Sequence, residues 1–362
     1  MPLPGARPGS DDREETVNAQ LQMAAGPAAA EILAWSRATV DPALRNAVAQ
    51  LPASMRRVAR YHFGWCDSQG RPVSGDTGKA VRPALTLLCA LAAGGDPQAA
   101  VPAAAAVELV HNFSLLHDDV LDRDLTRRHA PAAWTVFGAA DAILAGSALL
   151  SLAFQCLAKN NGALGSEGVL RLHQSVAELC HGQSLDLSFE QRGQVEIGES
   201  WAMSAAKTGA LFSCACSLGA MAGGASAEQL RLLNGFGDHL GLAFQLVDDL
   251  LGIWGDPAVT GKPAHSDLMS RKKSLPAAAA LNSETAAGQE VALFYQRPEP
   301  SQPGELAGIA ELIERAGGRE WARRAAASER TMAVESLAAA DCQPDAEAAL
   351  REVADLLLRR DH

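Results

Sequence analysis

Apolar residues recur at three- and four-residue spacing through most of this chain. That periodicity constrains the fold more than any other feature. It runs through Ile32–Val40, Ala84–Ala93, Val101–Leu116, Ala140–Leu157, Gly168–Leu179, Ala205–Met221 and Ala227–Ile253. On a helix these spacings fall on one face. Few alternating runs of Val, Ile and Thr compete with them, and aromatics make up only 5% of the residues. Gly and Pro clusters such as "GGDPQ", "NNGALG" and "RPEPSQPGE" mark the turns. The expected fold is all-α, with about a dozen helices. Residues 24–362 read as one domain, after a disordered extension over residues 1–23. That extension lacks the basic-then-apolar order of a secretory signal.

The formal net charge is −11, which opposes general nucleic-acid binding. No apolar run reaches the ~20 residues that cross a bilayer, so no transmembrane segment is expected. The seven cysteines form no CxxC, and several sit among Leu and Ala. These several read as buried free thiols, and the lack of a metal or disulfide pattern reads as a reducing, cytoplasmic setting.

The run Val101–Leu116 leads into "HDDVLDRD", which holds Asp118, Asp119, Asp122 and Asp124. Counting back from Asp122 by helical steps gives Asp118, Ser114 and His111 on one stripe. Carboxylates at a helix C-terminus face the negative end of the helix dipole, so a cation is needed to offset them. Hard oxygen donors suit Mg²⁺. A single such cluster reads equally well as a solvated acidic helix end. A second, "FQLVDDLLGIWGD", shifts the balance: it too is an apolar helix ending in paired acids, Asp248 and Asp249. Two such helices facing each other across a cavity would hold several metal ions between them.

Cations stand at the ends of the same segments: Lys79, Arg82, Arg127, Arg128, Lys207, Lys262, Lys272 and Lys273. Arg forks onto phosphate oxygens, and Lys acts as a point charge. "SGDTGKA" is not a P-loop, because the first glycine and the terminal Ser/Thr are missing.

Six ordered elements from Gly78 to Pro276 carry a family likeness: "GKAVRP", "ELVHNFSLLHDDVLDRDLTRRH", "HGQSLDL", "AAKTGALF", "FQLVDDLLG" and "GKPAHSDLMSRKKSLP". With them the chain resembles the trans-isoprenyl diphosphate synthases of the polyprenyl synthetase family. The resemblance implies an isoprenoid-synthase bundle of helices around a deep central cavity, paired as a homodimer. It implies Mg²⁺, as three ions, held by Asp118, Asp119 and Asp122 on one side and by Asp248 and Asp249 on the other. It implies that Lys79, Arg82, His111 and Arg128 bind isopentenyl diphosphate. Arg127, Lys207, Thr208, Gln245, Lys262 and Lys272 would bind an allylic diphosphate, with Gln183 and Asp186 lining the same end. Asp118, Asp119, Asp122, Lys207 and Asp248 would carry the catalysis.

Three positions depart from the family pattern. Ala80 stands where Arg is common, His129 where a turn glycine is usual, and Gly252 where an acid would complete DDxxD. Asp256 would replace that acid if the helix ran past Gly252 and Gly255. Phe113 lies five residues before Asp118, ~7 Å along a helix axis. By resemblance, Phe113 with the small Ser114 would floor the cavity and set a medium chain, C20 before C15. A class I terpene cyclase shares the ionisation chemistry but needs no second diphosphate site. A non-catalytic regulatory subunit would keep the fold with degraded acids.

Overall fold

The computed structural model describes residues 28–73, 78–257, 263–297 and 303–359. The extension expected over residues 1–23, and Lys262, lie outside the described residues. The chain is built of α-helices. In order they are α1 (Ala29–Ala49), α2 (Ala53–His62), α3 (Val81–Ala92) and α4 (Pro97–Leu121). A two-stranded hairpin follows, β1 (Thr126–Arg127) and β2 (Ala130–Pro131). Then come α5 (Ala133–Phe137), α6 (Ala139–Ala158), α7 (Ala163–Glu190) and α8 (Ile197–Ser204). A π-helical turn over Ala205–Gly209 joins α8 to α9 (Ala210–Ala222). The rest are α10 (Ala227–Trp254), α11 (Ser266–Met269), α12 (Leu275–Leu281), α13 (Ala286–Gln296), α14 (Pro303–Arg315), α15 (Gly318–Ala339) and α16 (Pro344–Leu358). The helices beyond the expected dozen are short ones such as α5 and α11, which span too little chain to show a period.

α4 is the central helix. Asp96 caps its N-terminus by accepting the Gln98 N–H, and Pro97 opens its first turn. Its apolar residues Leu109, Val110 and Leu116 are buried against Leu149 and Ala153 of α6 and Leu211 and Leu218 of α9. Each fully buried Leu contributes about 1.5–3 kcal/mol. A second core joins α3, α9, α10, α15 and α16 through Leu85, Phe212, Phe236, Leu337 and Leu350.

Two helices, α4 and α6, are long and apolar enough to cross a membrane. This corrects the expectation that no run reaches that length. In α4, 72% of the apolar window is buried in the bundle, so its apolarity is a packing requirement. In α6 only 39% is buried, and Ile143 and Leu144 face outward.

Glycine decides how closely the helices can approach at the site. A Cβ on Gly182 of α7 would lie 2.4 Å from the Lys207 backbone nitrogen. Only glycine lets the π turn come that near to α7.

Candidate active site

A pocket of about 180 Å³ opens where α4, α7 and α10 end. Asp118 and Asp122 reach it from α4, Asp186 from α7, Asp248 and Asp249 from α10, and Asp267 from α11. Lys207 and Thr208 come from the π turn, and Lys272 from the segment before α12. A π turn widens the helix by one residue and re-aims the side chains on it, a device frequent at functional sites. Thus the two acid clusters, 130 positions apart in sequence, meet in one cleft with two lysines.

The acids do not play equal parts. Burial, reinforced by Asp122, pushes the Asp118 carboxyl up to about 6, while Lys207 pulls it down. Asp122 faces Lys272, with Nζ 3.5 Å from Oδ2. Asp119 turns away from the pocket: it is buried, and its Oδ1 accepts both Nε (2.8 Å) and Nη2 of Arg127. Asp249 is also taken up structurally. Its Oδ1 accepts Gln245 Nε2 at 2.7 Å, and its Oδ2 accepts the Leu275 N–H at 2.8 Å, holding the start of α12. Burial and the charge of Asp267 raise its carboxyl to about 8. Asp248 remains exposed on the cleft wall.

The cations are anchored by carboxylates. Lys207 Nζ donates to Asp186 Oδ2 at 2.6 Å. Thr208 Oγ1 donates to Gln245 Oε1 at 2.6 Å, so a chain of bonds runs from the π turn through Gln245 to Asp249. Burial opposes the charge on Lys272, yet Asp122, Asp186 and Asp267 hold its pKa above the ordinary lysine value. Gln183, expected to line this end, is buried, and among the described residues neither polar atom of its amide has a hydrogen-bond partner. Lys273, next to Lys272, points away and lies over the Tyr295 ring at 5.1 Å.

The other expected cations gather behind Arg127. Arg82 Nη1 is 3.4 Å from His111 Nε2, and its guanidinium lies 4.6 Å over the Phe212 ring. Burial lowers Arg82 to about 10. Burial and the nearby arginines push His111 well below the usual histidine range. Arg128 Nη2 donates to the Asn112 side-chain Oδ1 at 3.4 Å, and Asn112 Nδ2 in turn donates to Glu108 Oε1 at 2.9 Å. Lys79 is exposed, two residues before α3. A second cavity, about 520 Å³, is lined by His62, Arg127, Arg128 and His129. Arg127 therefore borders both spaces. Arg128 and His129 form the two-residue turn of the hairpin with φ of 50° and 61°. Such a turn needs positive φ at both positions, a conformation that glycine takes most freely and that His129 adopts here.

Phe113 and Ser114 lie on α4 outside the acid pocket, whose apolar lining from this stretch is Leu115. Phe113 is buried edge-on against His117, with ring centroids 4.7 Å apart. His117 Nε2 is 3.0 Å from the Ile143 carbonyl oxygen of α6. Ser114 Oγ donates back to the His111 carbonyl.

The carboxylates that line the cleft supply hard oxygen donors, which fit Mg²⁺. Among the described residues no three acid, His or Cys side chains form a cage for an ion unaided. Mg²⁺ suits that arrangement, since it takes few carboxylates and completes its shell with water and phosphate oxygens.

The Polyprenyl synthetase family profile matches residues 65–313. The chain belongs to the polyprenyl synthetase family. Among curated polyprenyl synthetase relatives, a (2E,6E)-farnesyl diphosphate synthase of Mycobacterium tuberculosis is 42% identical over 332 residues, covering 91% of this chain and 92% of its own. A geranylgeranyl diphosphate synthase of the same organism is 41% identical over 331 residues, covering 91% and 93%. A solved polyprenyl synthetase from Streptomyces coelicolor A3(2) superposes with a TM-score of 0.87 at 46% identity, covering 91% of this chain and 99% of that one.

Some residues of the site escaped the sequence reading. His62, Asn112 and Glu108 surround the arginines, and Asp267 stands in the acid pocket. Glu108 and Asn112 were findable, since both lie on α4 one turn apart beside His111. His62 carried no signal. The proposed helical continuation to Asp256 is not made: α10 passes Gly252 but ends at Trp254, and Gly255 is extended with ψ 146°.

Proposed function

We propose that the chain is a trans-prenyltransferase that condenses isopentenyl diphosphate with an allylic diphosphate, giving a C20 or C15 product, with residues 24–362 acting as one all-α domain. The observation that carries this reading is the meeting of Asp118 and Asp122 with Asp248 across one cleft that also holds Lys207 and Lys272. The farnesyl and geranylgeranyl synthases among the relatives support it about equally, at 42% and 41% identity.

In this reading Asp118, Asp122 and Asp248 hold Mg²⁺, with Asp249 supporting that wall. Mg²⁺, when bound, supplies charge neutralisation of the allylic leaving group. Lys207, Lys272 and Arg127 fix the allylic diphosphate and stabilise charge as its C–O bond breaks. Thr208 and Gln245 set the π turn, and Asp119 aims Arg127. Arg82, Arg128, His111 and Lys79 hold isopentenyl diphosphate on the far side of Arg127, with its double bond toward the allylic carbon. The C–C bond forms, and a proton leaves to the departing diphosphate. The apolar walls between α4, α6 and α9 keep water from the cation. Phe113 limits the product, and two copies pair through the outward apolar face of α6 in the cytoplasm.

The test offers C5, C10 and C15 allylic diphosphates, each with and without isopentenyl diphosphate and Mg²⁺. Linear trans products that need both substrates are expected. A cyclic hydrocarbon from the allylic substrate alone would make the chain a cyclase.

A further inference from the structure

Gly252 breaks the second DDxxD motif, yet the space beside it is not open. A Cβ built on Gly252 would lie 2.2 Å from Asp267 Oδ2, 2.4 Å from Cγ and 2.6 Å from Oδ1. The Asp267 carboxylate therefore sits where the first atoms of a side chain at position 252 would go. Position 252 is four residues after Asp248 and three after Asp249, on the helix face that carries both.

Asp267 is held there by its own segment. His265 Nδ1 lies 2.6 Å from the Ile253 carbonyl oxygen, and Ser266 Oγ donates to the Gly252 carbonyl at 3.4 Å. The Lys272 N–H donates to the Asp267 carbonyl at 2.8 Å, and Leu268 is fully buried beneath. α11 is thus stitched to the last turn of α10. The carboxylate lines the same cleft as Asp118, Asp122 and Asp248. Its charge is also felt by Asp249 and by Lys272.

We propose that Asp267 supplies the oxygen donor that Gly252 leaves out, completing the α10 half of a divalent-cation clamp from a separate stretch of chain. The proposal rests on the reading of this cleft as a Mg²⁺–diphosphate site. Gly252 and Asp267 then act as one pair: the missing side chain makes the room, and the later carboxylate fills it.

The test measures Mn²⁺ binding to the full chain at saturating inorganic pyrophosphate, by electron paramagnetic resonance, with thermal unfolding as the check on folding. Asp267→Asn is expected to weaken Mn²⁺ binding at least tenfold, since losing even a partner that only supports a ligand costs about 10–100-fold. Asp267→Ala should do the same. Gly252→Asp added to Asp267→Ala should restore binding, because the vacated space then accepts the side chain. Wild-type binding in Asp267→Asn, with binding weakened in Asp248→Asn, overturns the inference alone. A loss that Gly252→Asp does not restore also overturns it and makes Asp267 an anchor for α11. Unchanged binding in Asp248→Asn overturns the metal reading beneath it.

Discussion

The guanidinium of Arg127 is clamped onto the buried carboxylate of Asp119, so the second acid of the first cluster faces the fold and not the cleft. Removing one partner of a buried pair strands the other charge, which costs about 3 kcal/mol or more. Asp119→Asn should therefore lower stability by about that amount in urea unfolding. It should weaken Mn²⁺ binding less than Asp118→Asn does, because Asp118 lines the cleft.

Asp118 sets a pH dependence. Its folded-state pKa, about 6, is above the ordinary carboxyl value, with burial the main cause. The folded chain then binds more protons than the unfolded chain between pH ~4 and 6, so stability falls as pH rises through that window. Asp118→Asn should stabilise the metal-free protein at pH 7.5, by about 1–2 kcal/mol. Metal binding runs the other way: Mn²⁺ affinity should drop as pH falls below 6, where protons compete for the carboxylate. Thermal melts with and without Mn²⁺ across pH 5–8 check both signs.

Gly182 admits the Lys207 backbone to α7. Gly182→Ala should push the π turn outward, cost about 1–3 kcal/mol of stability, and break the Lys207–Asp186 contact. Turnover should fall at least tenfold in a steady-state assay, with the helical content unchanged by circular dichroism.

The hairpin turn carries strain at His129, whose φ is 61°. His129→Gly should stabilise the chain by about 1 kcal/mol, since glycine takes that conformation freely. Urea unfolding measures the gain.

Phe113 stands beside His117, which is bonded to the Ile143 carbonyl of α6. Phe113→Ala opens the space between α4 and α6 and should lengthen the product by one or more C5 units. Radiolabelled chain-length analysis reads this, and an unchanged product would remove Phe113 from that role.

The long helices were legible because their apolar period persists over many turns, and the acids of α4 and α10 were legible because they interrupt that period at its end. Asp118 and Asp122, one turn apart, necessarily share a face. The destination of Asp119 was not legible: it depends on the β1–β2 reversal bringing Arg127 back to α4. Nor was Asp267, because a Gly- and Pro-rich connection separates it from Gly252, and no period crosses such a connection. The π turn that aims Lys207 and Thr208 reads in sequence as ordinary helix. Local pattern thus located the two acid clusters, and tertiary contacts decided which of their carboxylates line the cleft.

On the proposed function, Asp118 and Asp248 act together on two diphosphate substrates. The most direct measurement is product analysis with isopentenyl and allylic diphosphates for the wild type, Asp118→Ala and Asp248→Ala. The expected result is a linear C15 or C20 trans-prenyl diphosphate from the wild type, dependent on both substrates and on Mg²⁺, with turnover at least a hundredfold lower in each variant, about 2.7 kcal/mol of barrier. Undiminished condensation in both folded variants would rule out a joint role for these two acids.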